Sequence, residues 1–182
     1  MVTKEHIKDI KKLHEPKERA EKGFFLIEGV RLLEEAIKEE ISIEEVFYTA
    51  RINESTRGSQ LLASIQTRHI PLSQIPEKVM ESISETESPQ GVLAVARQLQ
   101  RTLKDITKDK KPVIMACGLQ DPGNLGTIIR TADAGGCGGV ITTQNTVDTY
   151  NSKVIRATMG SIFRMPVLKI DDPEETISGL KK

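Results

Sequence analysis

Apolar positions along the first hundred residues alternate between helical and strand periods. Ile7, Ile10 and Leu13 recur at helical spacing among Lys8, Lys11, Lys12 and Lys17, which predicts an amphipathic helix whose basic outer face is solvated. Gly23-Phe-Phe-Leu-Ile-Glu-Gly29 is a short apolar run between glycines and predicts a buried strand. Val30, Leu33, Ala36 and Ile37 then restore the helical period. A second strand is expected at Val46-Phe47-Tyr48, a helix over Ser59 to Ile65, a short strand at His69-Ile70-Pro71-Leu72 and a helix over Ile75 to Ile83. Gly91 to Ala96 reads as a further strand after the turn signal Ser88-Pro89-Gln90. These alternations predict an α/β unit over residues 1–97.

Residues 98–111 hold seven charged side chains and few apolar ones, the pattern of a linker. From Pro112 the order is strand, helix over Leu125 to Ala134, strand at Gly139 to Thr142, helix around Ser152 to Met159, and strand at Met165 to Ile170. Strands alternating with helices imply a parallel sheet with right-handed crossovers. Asp172-Pro173 then opens a last helix, with the aspartate as cap. Three strands make a thin sheet, so a second domain over residues 112–182 looks incomplete.

Charge and composition narrow the function classes. The 182 residues carry 26 basic and 26 acidic side chains, which argues against nucleic-acid binding by bulk attraction and requires any such partner to meet a local patch. The segregation is mild: residues 1–22 have seven basic and five acidic side chains, residues 28–45 two and seven. No apolar run approaches the ~20 residues of a membrane helix, and the charged N-terminus has no signal core, so the cytoplasm is the expected compartment. Cys117 and Cys137 fit neither a metal-ligand pair nor a disulfide framework and are expected as buried thiols. His6, His14 and His69 lack ligand spacing, so no metal site is expected and surface positions are. Phe24, Phe25, Phe47, Tyr48 and Phe163 read as core.

The segment Gly118-Leu-Gln-Asp-Pro-Gly-Asn-Leu-Gly-Thr-Ile-Ile-Arg-Thr-Ala-Asp-Ala134 follows a predicted parallel strand, where open α/β sheets bind ligands. Asp121-Pro122-Gly123 supplies a turn and Asn124 is a candidate cap. Leu125, Ile128, Ile129 and Ala132 form a packing face, whereas Thr127, Arg130 and Asp133 fall on another stripe. That stripe presents an arginine near a helix N-terminus, which already favours an anion. An ordinary crossover helix with Arg130 paired to an exposed acid fits the same pattern. Gly135 to Gly139 follows a helix and precedes a strand, so a helix C-cap explains it better than a dinucleotide loop.

Asn124-Leu-Gly-Thr-Ile-Ile-Arg130, with Asp121-Pro122 before it and Gly135-Gly136 after it, resembles the first motif of the SpoU (TrmH-like) RNA 2′-O-ribose methyltransferases of the SPOUT superfamily. Lys153-Val-Ile-Arg-Ala-Thr-Met-Gly-Ser-Ile-Phe-Arg-Met-Pro166 resembles the second. Lys22 to Leu33 and Ser88 to Ala94 resemble the substrate-binding domain of ribosomal-RNA members, which is similar to ribosomal protein L30e. The four pieces run in the family's order over nearly the whole chain.

The resemblance implies an α/β chain with an L30e-like N-terminal domain followed by an incomplete parallel-sheet, trefoil-knot SPOUT domain. It implies methyl transfer from S-adenosylmethionine to a ribose 2′-hydroxyl, usually of ribosomal RNA, by a homodimer whose interface would be incomplete in the chain as given. Asn124 and Arg130 carry over as catalytic-motif residues. A guanidinium is effectively always protonated and makes a poor base, so a phosphate clamp is the expected role of Arg130, with Asn124 holding the loop. Arg31, Gln90, Lys153 and Arg156 are candidate RNA contacts, with Arg164 in the same basic patch; solvated basic side chains and a turn-stabilising Gln90 are the alternatives. The family's third region, which supplies most cofactor contacts, has no match after Met165 and would lie beyond Lys182. Weak or absent S-adenosylmethionine binding and no turnover are therefore expected of the chain as given. The competing class is a non-catalytic RNA-binding module of the L30e type.

Overall fold

Thr3, in extended backbone, accepts the His6 N–H through its hydroxyl and opens helix α1 (Lys4–Lys12), the ordinary use of a threonine cap. Pro16 starts α2 (Pro16–Lys22), which stops at Gly23 in the left-handed region. The chain continues through β1 (Phe24–Glu28), α3 (Val30–Lys38), β2 (Ile43–Tyr48), a 3-10 turn (Ala50–Glu54), α4 (Thr56–Thr67), β3 (Leu72–Gln74), α5 (Glu77–Ile83) and β4 (Val92–Arg97). The computed structural model describes residues 2–180, which divide into two units, one ending at Gln98 and the other beginning at Leu99.

The first unit is built on a four-stranded sheet in the order β1-β4-β2-β3. Strand β4 runs antiparallel to both neighbours, and β2 and β3 are parallel. Val92 to Ala96 are all buried, as a strand covered on both faces requires. Side chains alternate across the sheet: Leu26, Phe47, Leu93 and Val95 join Ile10, Leu13, Met80 and Ile83 in one core, while α3 packs on β1 and β4, with α4 beside it. Phe25 and Phe47 are fully buried; Phe24 and Tyr48 are only half-buried.

Because β1 and β2 both run antiparallel to β4, their carboxyl ends and the start of β4 share one end of the sheet. The segments leaving that end carry Arg31, Arg51 and Gln90. Their juxtaposition is a consequence of topology.

In the second unit, Thr102 and Asp105 form a reciprocal capping box around α6 (Leu103–Thr107). Residues 98–111 therefore contain a helix where a linker is expected. Ile106 is buried, and a β-carbon on Gly138 would lie 2.4 Å from its carbonyl oxygen. Strands β5 (Val113–Ala116), β6 (Gly139–Thr142) and β7 (Val167–Lys169) form a parallel sheet in that order. Between them lie α7 (Pro122–Ala134), α8 (Ser152–Ala157) and a 3-10 turn (Ser161–Phe163). α9 (Pro173–Leu180) follows, with Asp172 Oδ1 accepting the Glu175 N–H.

The glycine run after α7 closes that helix. Gly136 adopts φ 69°, and the Cys137 and Gly136 N–H groups donate to the Ala132 and Asp133 carbonyls, which satisfies two orphan acceptors of the last turn. Two expectations need correction. Neither thiol is buried as expected: Cys117, at the carboxyl end of β5, is exposed, and Cys137 is half-buried. His6 and His14 are half-buried partners of Glu45 and Glu85, not free surface residues, because His6 reaches β2 and His14 reaches the end of α5. Among the described residues no helix is long and apolar enough to cross a membrane.

Candidate functional site

The carboxyl ends of β5 and β6 are braced by hydrogen bonds between the loops that leave them. The Gly118 N–H donates to Thr143 Oγ1, Thr146 Oγ1 donates to the Ala116 carbonyl, and the Val147 N–H donates to the Leu119 carbonyl at 2.8 Å. Gln120 Nε2 donates to the Asn145 carbonyl. This bracing sets the start of α7.

Helix α7 begins three residues before the expected start, and its cap is Asp121, not Asn124. The Asp121 carboxylate accepts the Asn124 N–H at 2.6 Å, and Pro122 occupies the first helical position, where its missing N–H costs nothing. The Asn124 side chain is exposed and makes no hydrogen bond among the described residues. It therefore does not hold the loop; Asp121, Gln120 and the residues after β6 do.

Leu125, Ile129 and Ala132 bury one face of α7, and Gly126 allows α8 to approach. The opposite stripe runs Asn124, Thr127, Arg130, Asp133, with one residue every three. Asn124 and Arg130 are separated by about 9 Å along the axis, given a rise of about 1.5 Å per residue. Arg130 is exposed and has no hydrogen bond or ion pair among the described residues. The alternative of an arginine tied to a neighbouring acid is not what the structure holds.

The second motif supplies α8. Asn151 caps it by accepting the Lys153 N–H, and Lys153 itself is exposed. Arg156 is half-buried, with Nη1 enclosed and lacking a hydrogen-bond acceptor among the described residues. Arg164 leaves the basic patch expected for it: its Nη2 lies 2.7 Å from Asp133 Oδ2.

In the first unit, Arg31 and Gln90 line a cavity of about 460 Å³ together with Arg51, Arg57, Ile52 and Pro89. Gln90 Oε1 accepts the Val30 N–H at 3.0 Å and so caps α3, where Gly29 adopts φ 100°. Gln90 thus serves the first amide of α3, not the backbone of its own turn, while its amide NH₂ makes no hydrogen bond among the described residues. Arg31 and Arg51 are exposed and unpaired among the described residues; Arg57 is held by Glu34, with Nε 2.6 Å from Oε2. Arg51 and Arg57 were not expected. The signal for Arg51, an arginine just past a strand end, becomes informative only once β1 and β2 are known to run parallel.

At the carboxyl ends of β5 and β6 the two loops thus bond each other, while the Asn124 side chain stays open among the described residues.

Residues 4–94 match the MRM3-like substrate binding domain and residues 111–182 match the SpoU rRNA Methylase family. The chain is 38% identical over 168 residues to the 23S rRNA (guanosine(2553)-2'-O)-methyltransferase RlmP of Bacillus subtilis, covering 92% of this chain and 62% of that protein. It is 30% identical to human mitochondrial rRNA methyltransferase 3 over 82% of this chain and 36% of that one. The crystal structure of an AdoMet-bound rRNA methyltransferase from Sinorhizobium meliloti superposes with a TM-score of 0.83 at 32% identity, covering all of this chain and 67% of that one. That of AviRb from Streptomyces viridochromogenes, also with AdoMet, gives 0.84 at 26% identity over 98% of this chain and 68% of that one.

The fold is that of a SPOUT-type α/β protein. The chain belongs to the SpoU rRNA methylase family. It spans 62% and 36% of the length of the two curated relatives above. These comparisons do not bear out the expectation of a chain without turnover.

Proposed function

We propose that this chain acts in methyl transfer to a ribose 2′-hydroxyl of ribosomal RNA, with S-adenosylmethionine supplying the methyl group. The unit ending at Gln98 serves substrate recognition, and the unit beginning at Leu99 carries the reacting site. One observation supports this reading: among the described residues Arg130 stands exposed and unpaired on the same stripe as an equally free Asn124.

A guanidinium forks onto phosphate oxygens and does not give up its proton at working pH. Arg130 therefore fixes the phosphate beside the target ribose and orients the 2′-hydroxyl, while Asn124 hydrogen-bonds the same nucleotide. Lys153 and Arg156 hold flanking backbone. Arg31 and the free NH₂ of Gln90 hold RNA at the other unit, joined there by Arg51. The protein works on ribosomal RNA in the cytoplasm, and the family resemblance implies a homodimer.

The test is methylation of deproteinised 23S ribosomal RNA with labelled S-adenosylmethionine. Arg130→Lys, which keeps the charge and loses the fork, is expected to lose most of the rate while its melting curve stays unchanged. Wild-type turnover by that variant would refute the role.

A further inference from the structure

Arg130 and Asp133 lie three residues apart on α7, the spacing at which an arginine and an aspartate on a helix surface ordinarily pair. They do not pair. Asp133 is taken by Arg164, whose Nη2 lies 2.7 Å from its Oδ2 and 3.5 Å from Ser161 Oγ. The Asp133 side chain is 21% exposed and that of Arg164 39%, so the pair is partly shielded from water.

Arg164 comes from a different part of the chain and is delivered there by the backbone. After α8, Met159 and Gly160 adopt φ 52° and 92° and reverse the chain. The 3-10 turn then buries Ser161, Ile162 and Phe163 and packs on α7, which fixes Arg164 beside Asp133.

We infer that Arg164 is a positioning residue: by occupying the Asp133 carboxylate it keeps the Arg130 guanidinium unneutralised and free to meet a phosphodiester. The inference rests on the reading above that Arg130 contacts RNA. Without Arg164, the half-buried Asp133 charge lacks its partner, and Arg130, one turn earlier on the same stripe, is the cation within reach. Arg130 would then lie down on the helix and present less charge to the RNA.

A merely structural bridge behaves differently. If the pair only stapled the 3-10 turn to α7, removing both partners would be at least as harmful as removing one. If Arg164 instead diverts Asp133, removing Asp133 as well repairs the loss of Arg164.

The experiment measures binding of deproteinised 23S ribosomal RNA by the full chain at low salt, with Arg130 followed through its ¹⁵N-labelled Nε–H resonance. Arg164→Ala is expected to weaken binding about threefold, the scale of a surface ion pair redirected rather than a site destroyed, and to shift the Arg130 resonance. Arg164→Lys, which can still pair with Asp133, keeps affinity and resonance. The double variant Arg164→Ala/Asp133→Asn regains wild-type affinity and the wild-type Arg130 resonance. Should Arg164→Ala not fold, Arg164→Gln replaces it in both single and double variants. A double variant that binds as weakly as the single one overturns the inference while leaving Arg130 as an RNA contact. An Arg130→Ala control that binds RNA normally overturns the assignment of Arg130 itself, and the inference with it.

Discussion

Gly126 of α7 faces Ala157 of α8 so closely that a β-carbon on the glycine would lie 2.4 Å from the Ala157 β-carbon and 2.9 Å from the Val154 carbonyl oxygen. The two family motifs are thus joined through a position with no room for a side chain. One obstacle is backbone, which cannot rotate away. Gly126→Ala should gain about 1 kcal/mol of helix propensity yet lose up to about 3 kcal/mol to overpacking, a net loss of about 1–2 kcal/mol. Urea unfolding followed by circular dichroism measures this. A neutral or stabilised variant would show that α7 and α8 separate freely.

The cavity lined by Arg31 and Arg51 makes a prediction about salt. Each phosphate neutralised releases condensed counterions, so the dependence of log affinity on log salt steepens by about 0.7–0.9 per contact. Arg31→Gln/Arg51→Gln should weaken RNA binding and lower that slope by about 1–2. The fold should be untouched, because neither side chain has a partner among the described residues. An affinity loss with an unchanged slope would mean that these arginines do not meet phosphates.

Tyr150 couples the second unit to pH. Its hydroxyl accepts the Leu99 N–H at 2.8 Å and donates to the Leu99 carbonyl at 3.2 Å, tying the loop after β6 to the residue that opens the unit. Burial pushes its phenol up from 10.0 to about 12, against the opposing pull of the Leu99 hydrogen bond and Arg101. A raised pKa favours the protonated phenol in the folded state. Its stabilising contribution is therefore intact below pH 10 and is lost as pH rises from about 10 to about 12. Tyr150→Phe should cost about 1–3 kcal/mol at neutral pH, through the unmatched Leu99 N–H and carbonyl, and should reduce the loss of stability above pH 10. Denaturation curves at stepped alkaline pH, with a phenolate absorbance titration, check both.

Strands β1 and β4 were readable because each is a continuous apolar run beside a glycine, and α7 because Leu125, Ile129 and Ala132 keep helical spacing. Helix α2 was not, for a physical reason: the side chain it buries is Arg19, whose guanidinium donates to the Leu13 and His14 carbonyls. A buried cation inverts the pattern that reveals helices. Helix α6 has five residues and buries Ile106 alone, too little for a period to show. At the site, Arg130 stood out by its stripe, yet whether it was free depended on Arg164, thirty-four positions away, which only the folded chain brings to Asp133. The cationic cavity was half legible for the same reason: Arg51 meets Arg31 through the parallel course of β1 and β2.

Asp121 offers a test of how the loop before α7 sets the position of Arg130. Its carboxylate accepts the Asn124 N–H at 2.6 Å, and Pro122 follows at the first helical position. Asp121→Ala removes the acceptor and should cost about 0.5–2 kcal/mol. Asp121→Asn keeps an oxygen in the same place and loses only the charge that favours the helix N-terminus, a smaller term of about 0.3–1 kcal/mol. Capping predicts that Asp121→Asn stays close to wild type in both stability and methylation. It also predicts that Asp121→Ala frays the first turn, so that Asn124, lying within that turn, loses its orientation before Arg130 does. Hydrogen exchange of the α7 amides reads this directly: protection should fall in the first turn of the alanine variant and persist from Ile128 onward. Equal loss in both variants would instead assign Asp121 an electrostatic role at the reacting site.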